Sequence, residues 1–340
     1  MASVNRSVCM EYLPSMIENC DSVSSTFSAA VDRHLESLGM LNEPVPKVHY
    51  VPPPALDDPA ETLRMIPEIL ATHECLGMGS FSKVYRCTVS HFEEEVAVKI
   101  LQDTQLEDNR EVHLLCNLVH PNLITLQGVI QGPPHALIFD LCRGGTLAKL
   151  IHHMTSIFDG VTMRARLGAA LDVVHAIEYL HAMGVVHRDV KAKNIFLSSP
   201  PEEGTTTLAP VKLGDLGYAR VADTMMTRCV GTVRCMAPEV IHSCAYGLPA
   251  DIYSCAMVLY ELVTGMSPYG HIPKKINDAQ LAVAIVQGTR PDCSVLCLDN
   301  PVVEGVVRKL LEECWGLADS RPPAPEVKQS LETIILELAR

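Results

Sequence analysis

The run His187-Arg188-Asp189-Val190-Lys191-Ala192-Lys193-Asn194 places an acid, a lysine and an amide at fixed offsets on one short stretch. Such a set suits transfer of a phosphoryl group to a hydroxyl. Asp189 can accept the hydroxyl proton, Lys191 can neutralise the moving group, and the Asn194 carbonyl can hold a magnesium ion. The flanks Gly184-Val185-Val186 and Ile195-Phe196-Leu197 are short apolar runs, so the stretch is expected to be a loop between two strands. Three polar residues in a row recur by chance. The chemistry therefore also needs a phosphate cradle, a second carboxylate and a frame.

The chain offers each of these in order. Leu76-Gly77-Met78-Gly79-Ser80-Phe81-Ser82-Lys83-Val84 is a glycine-rich turn between two strand-like runs. Glycine lets backbone amides approach phosphates that a Cβ would hold off, and Ser82 is small enough to preserve the turn. An ordinary hairpin fits the same residues. Val96-Ala97-Val98-Lys99 alternates like a strand, and Lys99 faces either solvent or a nucleotide. A helix is expected from about residue 108, with Val112, Leu115, Leu118 and Val119 as its apolar stripe. Glu111 borders that stripe and can turn inward to Lys99. Lys212-Leu213-Gly214-Asp215-Leu216-Gly217 supplies the second carboxylate, Asp215.

In order and spacing these motifs resemble those of the protein kinases, over about residues 69 to 336. The segment Cys314-Trp315 through Arg321-Pro322 looks most like the tyrosine-kinase-like Ser/Thr group, with its Raf and mixed-lineage types. The resemblance implies an α+β bilobal fold: a small antiparallel β lobe with one helix over 69–141, and a mainly helical lobe over 142–336. ATP and Mg2+ would bind between them. The catalytic set carried over is Asp189, Lys191, Lys99, Asn194 and Asp215, with Asn194 and Asp215 as metal ligands. ATP would meet Leu76, Gly77, Met78, Gly79, Ser80, Phe81, Ser82 and Val84 in the glycine-rich segment. It would also meet Ala97, Lys99, Glu111 and Phe196, and a hinge of Asp140, Leu141 and Cys142 behind which Phe139 restricts the back pocket. Leu216 replaces the family's usual phenylalanine and would stack with Leu115, Leu126 and His187.

The resemblance also implies a frame and a substrate class. Asp251 would hold the catalytic-loop backbone, and Glu239 of Ala237-Pro238-Glu239 would pair with Arg321. Lys191 and the run Gly231 to Glu239 resemble the Ser/Thr form of the substrate loop, with Thr232 expected to hydrogen-bond Asp189 and Lys191. Cys235 stands where that loop has tyrosine or tryptophan, and it is expected to be an inert thiol. Arg188 implies activation by phosphorylation of Thr227 or Thr224, and hence an upstream activating kinase. The rival readings are a non-catalytic scaffold, opposed by the intact catalytic set, and a small-molecule kinase, opposed by the Thr232–Glu239 segment.

Composition sets outer bounds. The 340 residues carry a net charge of −13, which argues against nucleic acid or an anionic membrane as partner and suggests a basic substrate surface. Thirteen scattered cysteines suit reduced thiols in a cytoplasmic protein, with nuclear access left open. Neither a signal peptide nor N-myristoylation is expected, since residue 2 is Ala and no long apolar run follows. The apolar stretch Ile252 to Tyr260 is too short for a membrane span and is expected to be a buried helix. Residues 1–68 hold four basic against ten acidic residues and a proline-rich run near 44–54. They are expected to be a largely disordered extension, with a possible amphipathic helix over 25–38 that could meet a partner.

Overall fold

The computed structural model describes residues 74–78, 82–88, 94–101, 118–130, 135–221, 232–243, 247–273 and 275–339. The 25–38 helix and the rest of residues 1–68 lie outside the described residues, as do Gly79, Ser80, Phe81, Glu111, Leu115, Thr224 and Thr227.

The first part is an antiparallel sheet of five strands: β1 (Glu74–Met78), β2 (Ser82–Cys87), β3 (Val96–Leu101), β4 (Leu126–Ile130) and β5 (Ala136–Asp140), in the order β1-β2-β3-β5-β4. The alternation read in β3 divides its faces. Val96, Val98 and Ile100 join Tyr85, Cys87, Ile130, Ala136 and Ile138 in a small apolar cluster. Ala97 and Lys99 point the other way, towards the larger core. Register places Ala97 opposite Phe139, and Leu126 opposite Phe139 on the far side.

The second part is mostly helical. Its helices are α1 (Leu147–His153), α2 (Thr155–Gly160), α3 (Met163–Ala182), α4 (Pro238–Ser243), α5 (Leu248–Thr264), α6 (Asp278–Val286), α7 (Pro301–Cys314) and α8 (Ala324–Glu337). Short antiparallel pairs interrupt them: β6 (Val185–Val186) with β9 (Arg220–Val221), and β7 (Ile195–Leu197) with β8 (Val211–Leu213). Helix α5 contains the stretch expected to be buried, and it is buried on nearly every face, Asp251 and Glu261 included. It is the post on which the rest is hung. Gly265 ends it at φ +69, donating its N–H to Glu261 O as a left-handed cap. Helix α3 packs across α5 and α8 and leads directly into β6. No helix among the described residues is long and apolar enough to cross a membrane. The Ser198–Pro210 segment is a largely exposed loop, closed by Ser198 Oγ donating to Pro210 O at 2.6 Å.

Candidate active site

The turn between β6 and β7 carries His187 to Asn194, as the flanking apolar runs require. Its backbone is held from below by Asp251 in the first turn of α5. One carboxylate oxygen accepts the His187 N–H at 2.8 Å, and the other accepts the Arg188 N–H at 2.9 Å. His181, in the last turn of α3, meets Asp251 Oδ2 at 3.0 Å. Burial alone would raise the Asp251 carboxyl, but the His181 hydrogen bond and charge, with His187, more than offset it and leave it below its ordinary value. The clamp matters because Arg188 sits at φ +73, a left-handed conformation that a side chain disfavours.

Above the clamp lies Asp189, itself buried. Its Oδ2 accepts from Lys191 Nζ at 2.6 Å and from Asn194 Nδ2 at 2.9 Å. Asn194 Nδ2 also donates to Asp189 O at 2.9 Å. The second oxygen, Oδ1, is buried and has no hydrogen-bond partner. A carboxylate with one oxygen anchored and the other open is a proton acceptor awaiting a donor. It lines a small cavity with Thr232, Cys235, Met236 and Ala237, so the Thr232–Glu239 segment borders it as expected. Thr232 itself departs from expectation: its side chain is exposed and hydrogen-bonds neither Asp189 nor Lys191. The side-chain hydrogen bonds that Asp189 accepts come from Lys191 and Asn194, both to Oδ2. Cys235 is buried, and burial drives its thiol well above the ordinary range, the inert behaviour expected of it.

Asp215 lies two residues beyond β8, with its side chain exposed. It adopts φ +62, and Gly214 just before it is packed so closely that a Cβ would lie 2.7 Å from Ile124 Cγ1. Gly214 donates its N–H to Asn194 O at 2.9 Å, which ties the two oxygen-bearing residues together. Lys99 Nζ reaches Asp215 Oδ1 at 3.7 Å, joining the sheet to the helical part across the cleft. His187 is wholly buried, with Nε2 set 3.2 Å from Gly214 O; burial pushes its imidazole down, so it stays neutral. Leu216 is buried as the packing role requires, and Leu126 is packed against the same core.

The rim is formed by β1, whose Leu76 and Met78 are exposed, by Ala97, and by the segment after β5. Asp140 there is gripped by Lys212 Nζ at 2.7 Å and by Gln127 Nε2. Gly144 follows, wedged so that a Cβ would overlap Ser199 O and stand 2.5 Å from Leu197 Cβ. Phe196 pairs by an isolated bridge with Thr146 just beyond. Phe139 is buried between Ala97 and Leu126, consistent with a restricted back pocket. Burial raises the Cys142 thiol to about 11. Glu239 and Arg321 form a two-pronged pair at 2.6 and 2.8 Å, and Arg321 also donates to Pro249 O and Gly316 O.

Sequence reasoning missed His181, Lys212 and Gln127. Each reaches its partner only through tertiary packing; Lys212 opens the run read for Asp215, but nothing in that run marks its bond to Asp140. Of the described catalytic residues, Asp189, Lys191 and Asn194 are joined by hydrogen bonds, and Lys99 reaches Asp215.

The description "Protein kinase domain" matches residues 70–330. The chain belongs to the protein kinase family. It is 31% identical over 274 residues to serine/threonine-protein kinase STY46 of Arabidopsis thaliana, covering 77% of this chain and 44% of that protein. It is 32% identical over 285 residues to the RAF proto-oncogene serine/threonine-protein kinase of Xenopus laevis, covering 78% and 42%. A human relative, mitogen-activated protein kinase kinase kinase 10, is 32% identical over 304 residues, covering 84% and 30%. The chain thus spans less than half the length of these relatives. They agree with the tyrosine-kinase-like group that the motifs resemble.

Proposed function

We propose that the protein is an ATP-dependent protein kinase that phosphorylates serine or threonine, with Mg2+ as cofactor. The observation that carries this reading is the partnerless Asp189 Oδ1, buried beside Lys191 and Asn194, on a residue that lines a cavity bordered by the Thr232–Glu239 segment. Asp189 takes the acceptor hydroxyl proton on Oδ1 while Oδ2 stays anchored, so the base keeps its aim. Lys191, already within 2.6 Å, offsets charge that builds on the transferring oxygens. Lys99 positions the nucleotide phosphates. The Asn194 amide nitrogen is occupied by Asp189, which leaves its oxygen, with the Asp215 carboxylate, to serve as oxygen donors. Two oxygen donors suit magnesium, which keeps phosphate and water as its other ligands. Bound there, the ion would neutralise phosphate charge. The adenine would rest against Ala97 and hydrogen-bond backbone in Asp140–Cys142, with Leu76, Gly77, Met78, Val84 and Phe196 around it. The eight described cysteines are all free thiols, which fits a reducing cytoplasmic setting. Control by phosphorylation of Thr227 or Thr224 belongs to the same reading, with a signalling pathway upstream.

The test is transfer from ATP and magnesium to generic Ser, Thr and Tyr acceptor proteins, beside Asp189→Asn, with mass spectrometry locating the phosphate. Ser/Thr phosphate that disappears in the variant is expected. Tyrosine-only labelling would overturn the substrate class. ATP binding by both proteins with transfer by neither would overturn the enzyme.

A further inference from the structure

The acceptor segment must thread past the turn Ala192–Asn194 on one side and Val233–Cys235 on the other to bring a hydroxyl to Asp189. The charges along this route are unequal. Among the described residues, the carboxylates nearest the transfer centre each have an ion-pair partner: Asp189 in Lys191, Asp215 in Lys99, Asp140 in Lys212 and Glu239 in Arg321. Glu261 is likewise held by His152 at 2.6 Å. The cations on the same elements are not used up in this way. Lys193 is exposed, one residue from Asn194, and forms no ion pair among the described residues. Lys149 is exposed on α1, the helix packed on that turn, and it too has no carboxylate partner. Arg234 opposite donates to a carbonyl, Pro268 O at 2.9 Å, and forms no ion pair among the described residues.

We infer that this surface selects an acceptor segment rich in Asp or Glu, with Lys193 as the principal specificity residue. The inference rests on the kinase reading and deepens it. Although the chain is acidic as a whole, the charges left unpaired where an acceptor would lie are positive among the described residues. Lys193 is the one closest in sequence to the reacting groups, and its turn is fixed at both ends by Asn194 N–H donating to Lys191 O and by the Asn194 bonds to Asp189. A glutamate of the acceptor segment can pair with its ammonium without displacing any internal bond. A basic acceptor finds no free carboxylate among the described residues of these elements.

The experiment uses the full chain with three serine peptides of equal length, flanked by glutamate, by alanine or by lysine. Phosphate transfer gives kcat/KM, and fluorescence anisotropy gives peptide affinity independently of chemistry. The glutamate peptide should be favoured over the alanine peptide by about fivefold, the scale of one screened charge pair. In Lys193→Glu the order of the glutamate and lysine peptides should reverse. Lys309→Glu, an equal change of net charge on the exposed face of α7, should leave the order intact. Equal or lysine-favouring selectivity in the wild type, or the same reversal from Lys309→Glu, would overturn the inference. Absence of transfer to every peptide with glutamate-selective binding retained would overturn the kinase reading and uphold this surface.

Discussion

The Asp251 clamp allows a magnitude to be worked out from its contacts. In Asp251→Asn one oxygen remains to accept a backbone N–H, but the new amide group presents hydrogens to the other. Either the His187 N–H, now at 2.8 Å, or the Arg188 N–H, at 2.9 Å, is left facing a donor in the interior. A stranded buried donor costs about 1–3 kcal/mol, and losing a charged acceptor removes a further increment of similar scale. Arg188, held at φ +73, then has a route to relax, and Asp189 moves with it. The expected destabilisation is about 3 kcal/mol, read as a shift of the urea midpoint without change in slope. Displacing the base by an ångström should lower kcat for phosphate transfer by about 100-fold. The nucleotide rim is built from other elements, so KM for ATP should change by less than about threefold. A variant with unchanged midpoint and kcat would refute the argument that these two amides hold the loop. A loss carried by KM for ATP instead would place the clamp's effect in the wrong half of the cleft.

Three further outcomes follow from named contacts. Glu239→Gln should destabilise by about 2–3 kcal/mol in urea unfolding, because Arg321 stays charged and buried without its carboxylate; a change under about 1 kcal/mol would mean its carbonyl contacts suffice. Gly144→Ala should raise KM for ATP more than it lowers kcat, since the overlap with Ser199 O is with backbone and the rim itself must shift; steady-state kinetics with unchanged KM would contradict it. Stability should fall on mild acidification. His187 is depressed by burial, so the unfolded chain takes up its proton first as pH drops through 6.5, and the contribution present above that value is lost below it. His120, also lowered by burial, acts in the same direction, whereas Asp251 adds its loss only below 3.8. Each histidine gives a slope of up to about 1.4 kcal/mol per pH unit, so a flat urea midpoint between about pH 7 and 5.5 would argue against neutral burial.

What was legible beforehand was whatever depends on short range. The period-two alternation of Val96 to Leu101 put Ala97 and Lys99 on one face, and the apolar flanks of the His187–Asn194 run marked it as an inter-strand loop. Asp251 and the Glu239–Arg321 pair were legible only through the family resemblance, because nothing local marks a pair 82 residues apart. His181 shows what stays hidden. Its role depends on the last turn of α3 arriving beside the first turn of α5, and that is fixed by how the two helices pack. Thr232 shows the opposite failure. The motif placed it beside the cavity correctly, but its side chain is exposed, and the bonds to Asp189 come from Lys191 and Asn194 instead.

The same accounting of partners explains why bulk charge is a poor guide to what approaches the cleft. A net charge of −13 suggested a basic substrate surface. The field over a whole protein does steer encounter, but over distances of a Debye length it is screened, and short-range selection depends on which charges remain unpaired. Here the acids nearest the transfer centre are each bound to a lysine, arginine or histidine that fixes loop or hinge geometry. Using carboxylates as structural anchors removes them from recognition, whereas Lys193, Lys149 and Arg234 have no carboxylate anchor among the described residues and remain available. The two scales make separable demands on experiment. Steering by net charge should appear as a salt-dependent association rate common to all peptides, and recognition by Lys193 as a difference between peptides.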